Sequence, residues 1–247
     1  MVGLFDSGSG GLNTARYIKR HAPSVDLIYL IDRERAPYGS KTEQEITKIA
    51  CENITRLADM GAERVLIACC TASTVHKNLP SDLRSISSPI IPEIARRAKS
   101  STRSGRIGVI ATSHTVRTHA FKNEMADLTV YEYALPELVT MIDGGLSDST
   151  VSEDDVIILE KMLVPVLSKN IDTLVLGCTH FPALYKMVKR IARPYGVVRV
   201  IDSARAGAEL LAKESRKLNK KNKRAVRKHG KGDNKWQTTD AAESMTR

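Results

Sequence analysis

Eight short aliphatic and β-branched runs punctuate the chain, at Val2–Phe5, Leu27–Asp32, Arg64–Cys69, Pro89–Ile91, Arg106–Thr112, Leu128–Ala134, Thr173–Thr179 and Val197–Asp202. Segments with helical spacing fall between them, at Leu12–His21, Thr42–Met60, Ser113–Met125, Ser152–Leu167 and Pro182–Ile191. Thr42 and Glu45 have the spacing of a capping box at the head of one of them. Strands that alternate with helices predict an α/β fold, with parallel sheets covered by helices on both faces. Runs such as Val65-Leu-Ile-Ala lack a polar alternation, which fits strands buried on both sides. In such sheets, ligands bind at the carboxyl ends of the strands.

Two of those ends carry cysteine. Arg64-Val-Leu-Ile-Ala68-Cys69 and Thr173-Leu-Val-Leu-Gly177-Cys178 share one form: a polar residue, three apolar residues, a small residue and a thiol. We read two related halves that face one cleft, each delivering one thiol. On spacing alone, two unrelated buried strands ending in cysteine explain the pattern equally well, because buried free cysteine is common. Cys70 adds a choice. Aligning the small residues pairs Cys69 with Cys178, whereas aligning Cys-Thr with Cys-Thr pairs Cys70 with Cys178. Matching the small residue favours Cys69.

Composition narrows the function classes. The 247 residues suffice for one large domain or two small ones. No apolar run is long enough to span a bilayer, and Met1–Gly11 does not read as a signal peptide, so a cytoplasmic location is expected. The four cysteines form no C-x-x-C pair and no His/Cys cluster with zinc spacing. Free thiols and no metal are therefore expected. The formal charge is +10, but ten Lys/Arg against the single acid Glu214 lie within Lys213–Lys231. The stretch reads as a helix from near Ala204 leading into a loop around His229. It lacks aromatic interleaving for base stacking, so a solvated face is the expectation and a polyanion-binding patch the minority reading.

Three motifs carry candidate chemistry. Phe5-Asp-Ser-Gly-Ser-Gly-Gly11 follows the first strand. It is neither a P-loop nor a dinucleotide fingerprint. A glycine-rich turn before a helix is a weak anion-site signal. Asp6 within it points to proton handling or to a helix N-cap. Pro37-Tyr-Gly-Ser40 reads as a turn whose amides, with the Tyr38 and Ser40 hydroxyls, suit a carboxylate; an ordinary surface loop fits as well. The third is the pair of cysteine segments, where a thiolate at a helix start is expected to have a lowered pKa. His180 lies two residues past Cys178.

Taken together, VGLFDSGSGGL, RAPYGS, VLIACCTAS, RIGVIATSHT, TLVLGCTHFP and VIDSA resemble the glutamate racemases of the cofactor-independent aspartate/glutamate racemase superfamily. They occur in the family's order over nearly the whole chain, and the terminal KWQTTDAAESMTR resembles the family's closing strand and helix. The resemblance implies two pseudo-symmetric α/β domains with the active site between them: residues 1–91 plus 201–247, with 213–231 as a basic connection, and residues 92–200. It implies racemisation of glutamate without a cofactor, by one thiol on each face of Cα, and a homodimer. Carried over by motif, Cys69 and Cys178 are the paired acid/base groups, assisted by Asp6 and His180. Ser7, Pro37, Tyr38, Gly39, Ser40, Thr71 and Thr179 bind substrate, with Asp6, Cys70 and His180 also against it.

Four features depart from the family. Cys70 stands where the family has asparagine, and Asp143 near the place of a glutamate, so Asp143 is at most a shorter assisting acid. Arg33 and Glu34 change the charge before Pro37, and PIIPEIARRA is shortened. His180 favours glutamate over aspartate as substrate. Two other readings stay open. One is a racemase of another acidic amino acid or a single-thiol decarboxylase relative. The other is a weakly active family member that binds nucleic acid or an acidic protein through its basic stretch.

Overall fold

The computed structural model describes residues 1–229 apart from Ser9, Ala22 and Ser24, with side chains described as far as Arg216. The first half runs β1 (Val2–Asp6), α1 (Gly11–His21), β2 (Leu27–Ile31), α2 (Glu43–Asp59), β3 (Arg64–Ile67), α3 (Cys70–Ser73), α4 (Ser81–Ile86) and β4 (Ser87–Pro89). The second runs α5 (Ile91–Ser101), β5 (Arg106–Ala111), α6 (Ser113–Arg117), α7 (Ala120–Glu124), β6 (Thr129–Ala134), α8 (Pro136–Asp143), α9 (Glu153–Leu167), β7 (Thr173–Gly177), α10 (Tyr185–Ala192) and β8 (Arg199–Asp202). The long α11 (Ser203–His229) follows and packs against α1 and α5.

Two parallel four-stranded sheets result, in the orders β2-β1-β3-β4 and β6-β5-β7-β8. These are the same order twice, and the registers match as well. Val2 pairs with Arg64 in the first sheet, and Ile107 with Thr173 in the second. Superposing the sheets by register therefore equates Arg64 with Thr173, Cys69 with Cys178, and Ser7 with Thr112. β1 and β7 are buried at every position, as their unalternating aliphatic runs require. Each fully buried aliphatic side chain contributes about 1.5–3 kcal/mol. One apolar cluster runs through both halves, joining Leu4 and Leu66 to Val109 and Val175 through Ile94 of α5 and Leu211 of α11.

All eight expected strands form, with shifted ends. The fourth covers Ser87–Pro89 rather than Pro89–Ile91, because Pro92 sits in the first turn of α5 and draws Ile90 and Ile91 into the helix start. Thr42 and Glu45 cap α2 reciprocally, with Thr42 N donating to Glu45 Oε2 at 2.8 Å. The helix expected over Ser113–Met125 is broken instead. His119 adopts a left-handed conformation (φ 50°) between α6 and α7, and its Nδ1 lies 2.8 Å from Glu132 Oε2 on β6. Ile201 and Asp202 pair in the second sheet, so the chain returns to the first half at Ser203. Within the basic stretch, Lys213 Nζ lies 3.3 Å from Glu93 Oε1 and Arg64 Nε lies 3.9 Å from Glu214 Oε2. The loop expected after His229 and the closing strand and helix of KWQTTDAAESMTR lie outside the described residues. No described helix is long and apolar enough to cross a membrane.

Candidate active site

The carboxyl ends of β1, β3, β5 and β7 meet at one cleft. Ser7, Pro37, Tyr38, Gly39, Cys69, Cys70, Thr71, Asp143, Cys178, Thr179 and His180 line it, together with Gly8, Ala36, Thr112 and Val139. Asp6 is fully buried directly behind, beside Ser7. Ser40 does not line the cleft, and its hydroxyl donates to Pro37 O at 3.4 Å.

Cys69 and Cys178 are register-equivalent residues of the two halves. Cys69 is the extended cap residue just before α3, and its Sγ lies 3.4 Å from Ser7 Oγ. The Cys178 Sγ lies 3.7 Å from His180 Nδ1, and His180 Nε2 lies 3.2 Å from Asp143 Oδ1. A Cys178–His180–Asp143 chain thus leads from the cleft to a half-exposed carboxylate. The shorter acid reaches the imidazole rather than the sulfur. Asp143 belongs to α8, a helix that the sequence patterning leaves unassigned.

The expected lowering of the thiol pKa values is not what the site produces. Burial pushes Cys69 up to about 11, reinforced by the Asp6 charge and opposed by the Ser7 hydroxyl and the Ala72 and Ser7 amides. Burial likewise pushes Cys178 up. The His180 amide opposes this, and charges on Cys69, Asp6 and Asp143 add to it. A four-residue helix supplies too few aligned amides to offset complete desolvation of a thiolate. Cys70 is also raised, by burial and by the charges on Cys178, Cys69 and Asp6. Its side chain is part of the apolar cluster with Ala68, Ala111 and Phe121. Asp6 is raised to about 6 by burial, partly offset by His180, the Gly8 amide, Thr179 and the Gly11 amide.

The glycine-rich turn is a seam between the halves more than an anion cradle. A Cβ on Gly10 would lie 2.5 Å from Thr179 Oγ1 and 2.6 Å from the Thr179 carbonyl carbon. A Cβ on Gly8 would lie 3.1 Å from His180 Nε2. Side chains there would push the Cys178–His180 segment off the turn. Gly8 N donates to Asp6 Oδ1 at 3.0 Å, so the acid is fixed from its own turn.

Tyr38 is buried, and its hydroxyl is held within the protein. It donates to Asp32, which also accepts from Asn53 Nδ2 at 3.0 Å and pairs with Arg35 at 2.7 Å. Burial alone would raise Asp32, but these hydrogen bonds outweigh it and hold the carboxyl below its usual range. The network fixes the turn whose Pro37 and Gly39 line the cleft. The Tyr38 hydroxyl is thus engaged by Asp32 and Asn53, while Tyr38 still lines the cleft.

Thr112 is the lining residue that motif reading passed over. Its hydroxyl lies 2.9 Å from Thr71 Oγ1 across the cleft and 3.0 Å from Thr115 Oγ1. The signal was present: Val2-Gly-Leu-Phe-Asp-Ser7 and Ile107-Gly-Val-Ile-Ala-Thr112 are the same strand twice, so Thr112 is the counterpart of Ser7. The counterpart of Asp6 is Ala111, which leaves the second half to obtain its acid from α8. No group of three His, Cys, Asp or Glu among the described residues is arranged to hold a metal ion.

A model of the Asp/Glu/hydantoin racemase family matches residues 13–211. The chain belongs to that family. A glutamate racemase of Persephonella marina is 36% identical over 231 residues, covering 91% of this chain and 86% of that protein. Among solved structures, a glutamate racemase isoform of Bacillus anthracis superposes with a TM-score of 0.79 at 29% identity, covering 88% of this chain and 82% of that one. The glutamate racemase of Francisella tularensis, solved in complex with D-glutamate, superposes at 0.77 with 27% identity, covering 88% and 81%.

Proposed function

We propose that this chain interconverts L- and D-glutamate without a cofactor, by two-base proton transfer at Cα, and so supplies D-glutamate for peptidoglycan synthesis. The observation that carries this reading is the pair of register-equivalent thiols, Cys69 and Cys178, on one cleft. Inversion at carbon needs a base on one face and an acid on the other. In one direction a thiolate takes the Cα proton, the electron pair stays on the substrate, and the opposite thiol donates its own proton to the other face. The two cysteines then stand with their protonation states exchanged, ready for the reverse direction.

Burial makes the thiolates scarce but strong. Four pH units between pH 7 and the raised Cys69 value amount to about 5 kcal/mol. The ammonium group of a bound amino acid offsets part of that cost in a desolvated cleft. Asp6, ionised above about pH 6, is the local acceptor beside Cys69. His180, steadied by Asp143, is the one beside Cys178. Ser7, Thr71, Thr112 and Thr179 supply hydroxyls for the substrate carboxylates, and Pro37–Gly39 supplies backbone.

A single-thiol reaction needs only one of these cysteines and leaves the other half of the site without a task. The enzyme is placed in the cytoplasm, where glutamate is available, and is read as a homodimer. Incubation with L- or D-glutamate in D2O tests the reading. Deuterium is expected at Cα of the inverted product with no added cofactor. No exchange from either enantiomer would overturn it.

A further inference from the structure

His114 is a buried titratable residue that takes no part in the proton transfers described above. It lies on α6 of the second half, 2% exposed, where that helix packs against α3 and against the Tyr38–Ser40 turn of the first half. Its imidazole bridges the two halves. Nε2 lies 3.1 Å from Oγ1 of Thr74, the residue that ends α3, and the ring also hydrogen-bonds the Lys41 backbone just past the turn. At the other edge of the ring, Nδ1 lies 3.2 Å from Nη2 of Arg117, on α6 itself.

These partners fix which nitrogen carries the proton. Arginine has donors and no acceptor, so Arg117 donates and Nδ1 is the bare nitrogen. Thr74 Oγ1 commits its own proton to Thr71 O at 2.8 Å, so towards the ring it accepts, and Nε2 carries the hydrogen. One species meets both requirements, the neutral Nε2–H imidazole. Burial and the Arg117 charge hold the ring below its ordinary pKa of 6.5, against the Lys41 backbone and the Glu43 charge, which act in the opposite sense. A second ring proton would point at the Arg117 guanidinium.

The bridge holds the first-half wall of the cleft. Thr74 is tied to Thr71, whose hydroxyl meets that of Thr112 across the cleft. Lys41 closes the neighbouring turn, its amide donating to Tyr38 O at 3.1 Å, and Tyr38 and Gly39 of that turn line the cleft. We propose that His114 is a positioning residue: from the second half, its Nε2–H tautomer, set by Arg117, holds Thr71 and the Tyr38–Ser40 turn at the spacing that binds the substrate carboxylates. His114 is not among the cleft-lining residues, so it acts through Thr74 and Lys41 and touches no substrate. The inference rests on the racemase reading for the identity of that substrate.

Steady-state kinetics of the full chain with L- and D-glutamate test this, with circular dichroism to verify folding. A glutamine amide extends as far as Nε2, whereas an asparagine amide reaches only the position of Nδ1. His114→Gln should therefore keep KM within about twofold of wild type. His114→Asn should raise KM for both enantiomers about tenfold, as loss of one hydrogen bond does, while kcat changes by less than about threefold. Thr74→Val removes the partner instead and should raise KM alike, and the double variant should lose no more than either single one. Nitrogen NMR of histidine-labelled protein at neutral pH should show the Nε2–H tautomer for the resonance that His114→Gln abolishes. Equal KM in the glutamine and asparagine variants would overturn the proposal and leave the racemase reading intact. So would additive losses in the double variant, or an Nδ1–H or charged ring. A wild type without racemase activity would instead overturn that reading, and the proposal with it.

Discussion

His180 turns its Nδ1 to the Cys178 sulfur at 3.7 Å, while the opposite edge of the same ring meets Asp143. The second thiol thus has a histidine–carboxylate pair beside it, whereas the first has the Ser7 hydroxyl at 3.4 Å, with the Asp6 charge raising the pKa of both thiols. The two halves share a strand order and a register, yet different groups stand beside their thiols.

This asymmetry predicts the behaviour of Asp143 variants. Asp143→Asn should lower kcat about 10- to 100-fold, the range for loss of a group that orients an acid/base residue. KM should change little, and because the equilibrium constant between enantiomers is one, both directions of racemisation should slow equally. Asp143→Glu should retain most activity, because the longer acid still reaches an imidazole that lies at the cleft edge. Steady-state rates from both enantiomers check this. Wild-type kcat in Asp143→Asn would contradict the relay.

The choice between neighbouring thiols is testable directly. Cys69→Ser and Cys178→Ser should each reduce racemisation by about 10³-fold or more. Cys70→Ala should leave it within a few-fold, at a cost of roughly 1 kcal/mol from the apolar cluster it fills. Cys70→Asn should preserve or raise activity, since position 70 lines the cleft and offers an amide a place at the substrate. Full activity in Cys178→Ser would end the two-base mechanism, and loss in Cys70→Ala would show that the base is Cys70.

Asp6 should make stability fall as pH rises. Its folded pKa of about 6 exceeds the ordinary 3.8, so the folded state holds the proton more tightly. The stabilisation from protonated Asp6 is complete below about pH 4 and is lost as pH rises through 6. Two pH units correspond to about 3 kcal/mol at most. Asp6→Asn should therefore be more stable than wild type at pH 8, with the gap closing near pH 4. It should also be a poorer racemase. Thermal unfolding at both pH values measures the gap, and a constant difference would show that Asp6 does not titrate as described.

Gly10→Ala should impair both stability and turnover. The new methyl group meets the Thr179 backbone, which cannot rotate away as a side-chain tip would. Overpacking of this kind costs about 1–3 kcal/mol. The displaced segment carries Cys178 and His180, so kcat should fall with stability. A variant with wild-type kcat would mean that the seam does not position the second thiol.

The sequence by itself determined the sheets and the thiols. Unbroken aliphatic runs alternating with helical spacing leave little but parallel strands, and the two Cys-ending runs were legible as a repeat because strand register follows residue by residue. The ends of elements were less legible. Pro92 and His119 act through local geometry that periodicity does not report. Tertiary structure alone decided what each polar group faces. Tyr38 gives its hydroxyl to Asp32, Ser40 turns from the cleft, Thr112 meets Thr71 from 41 residues away, and Asp143 reaches His180 from a helix that the patterning passed over. The same holds for the thiol pKa values. A helix start suggests a lowered value, but the degree of burial sets the sign, and burial belongs to the assembled halves rather than to any segment of the chain.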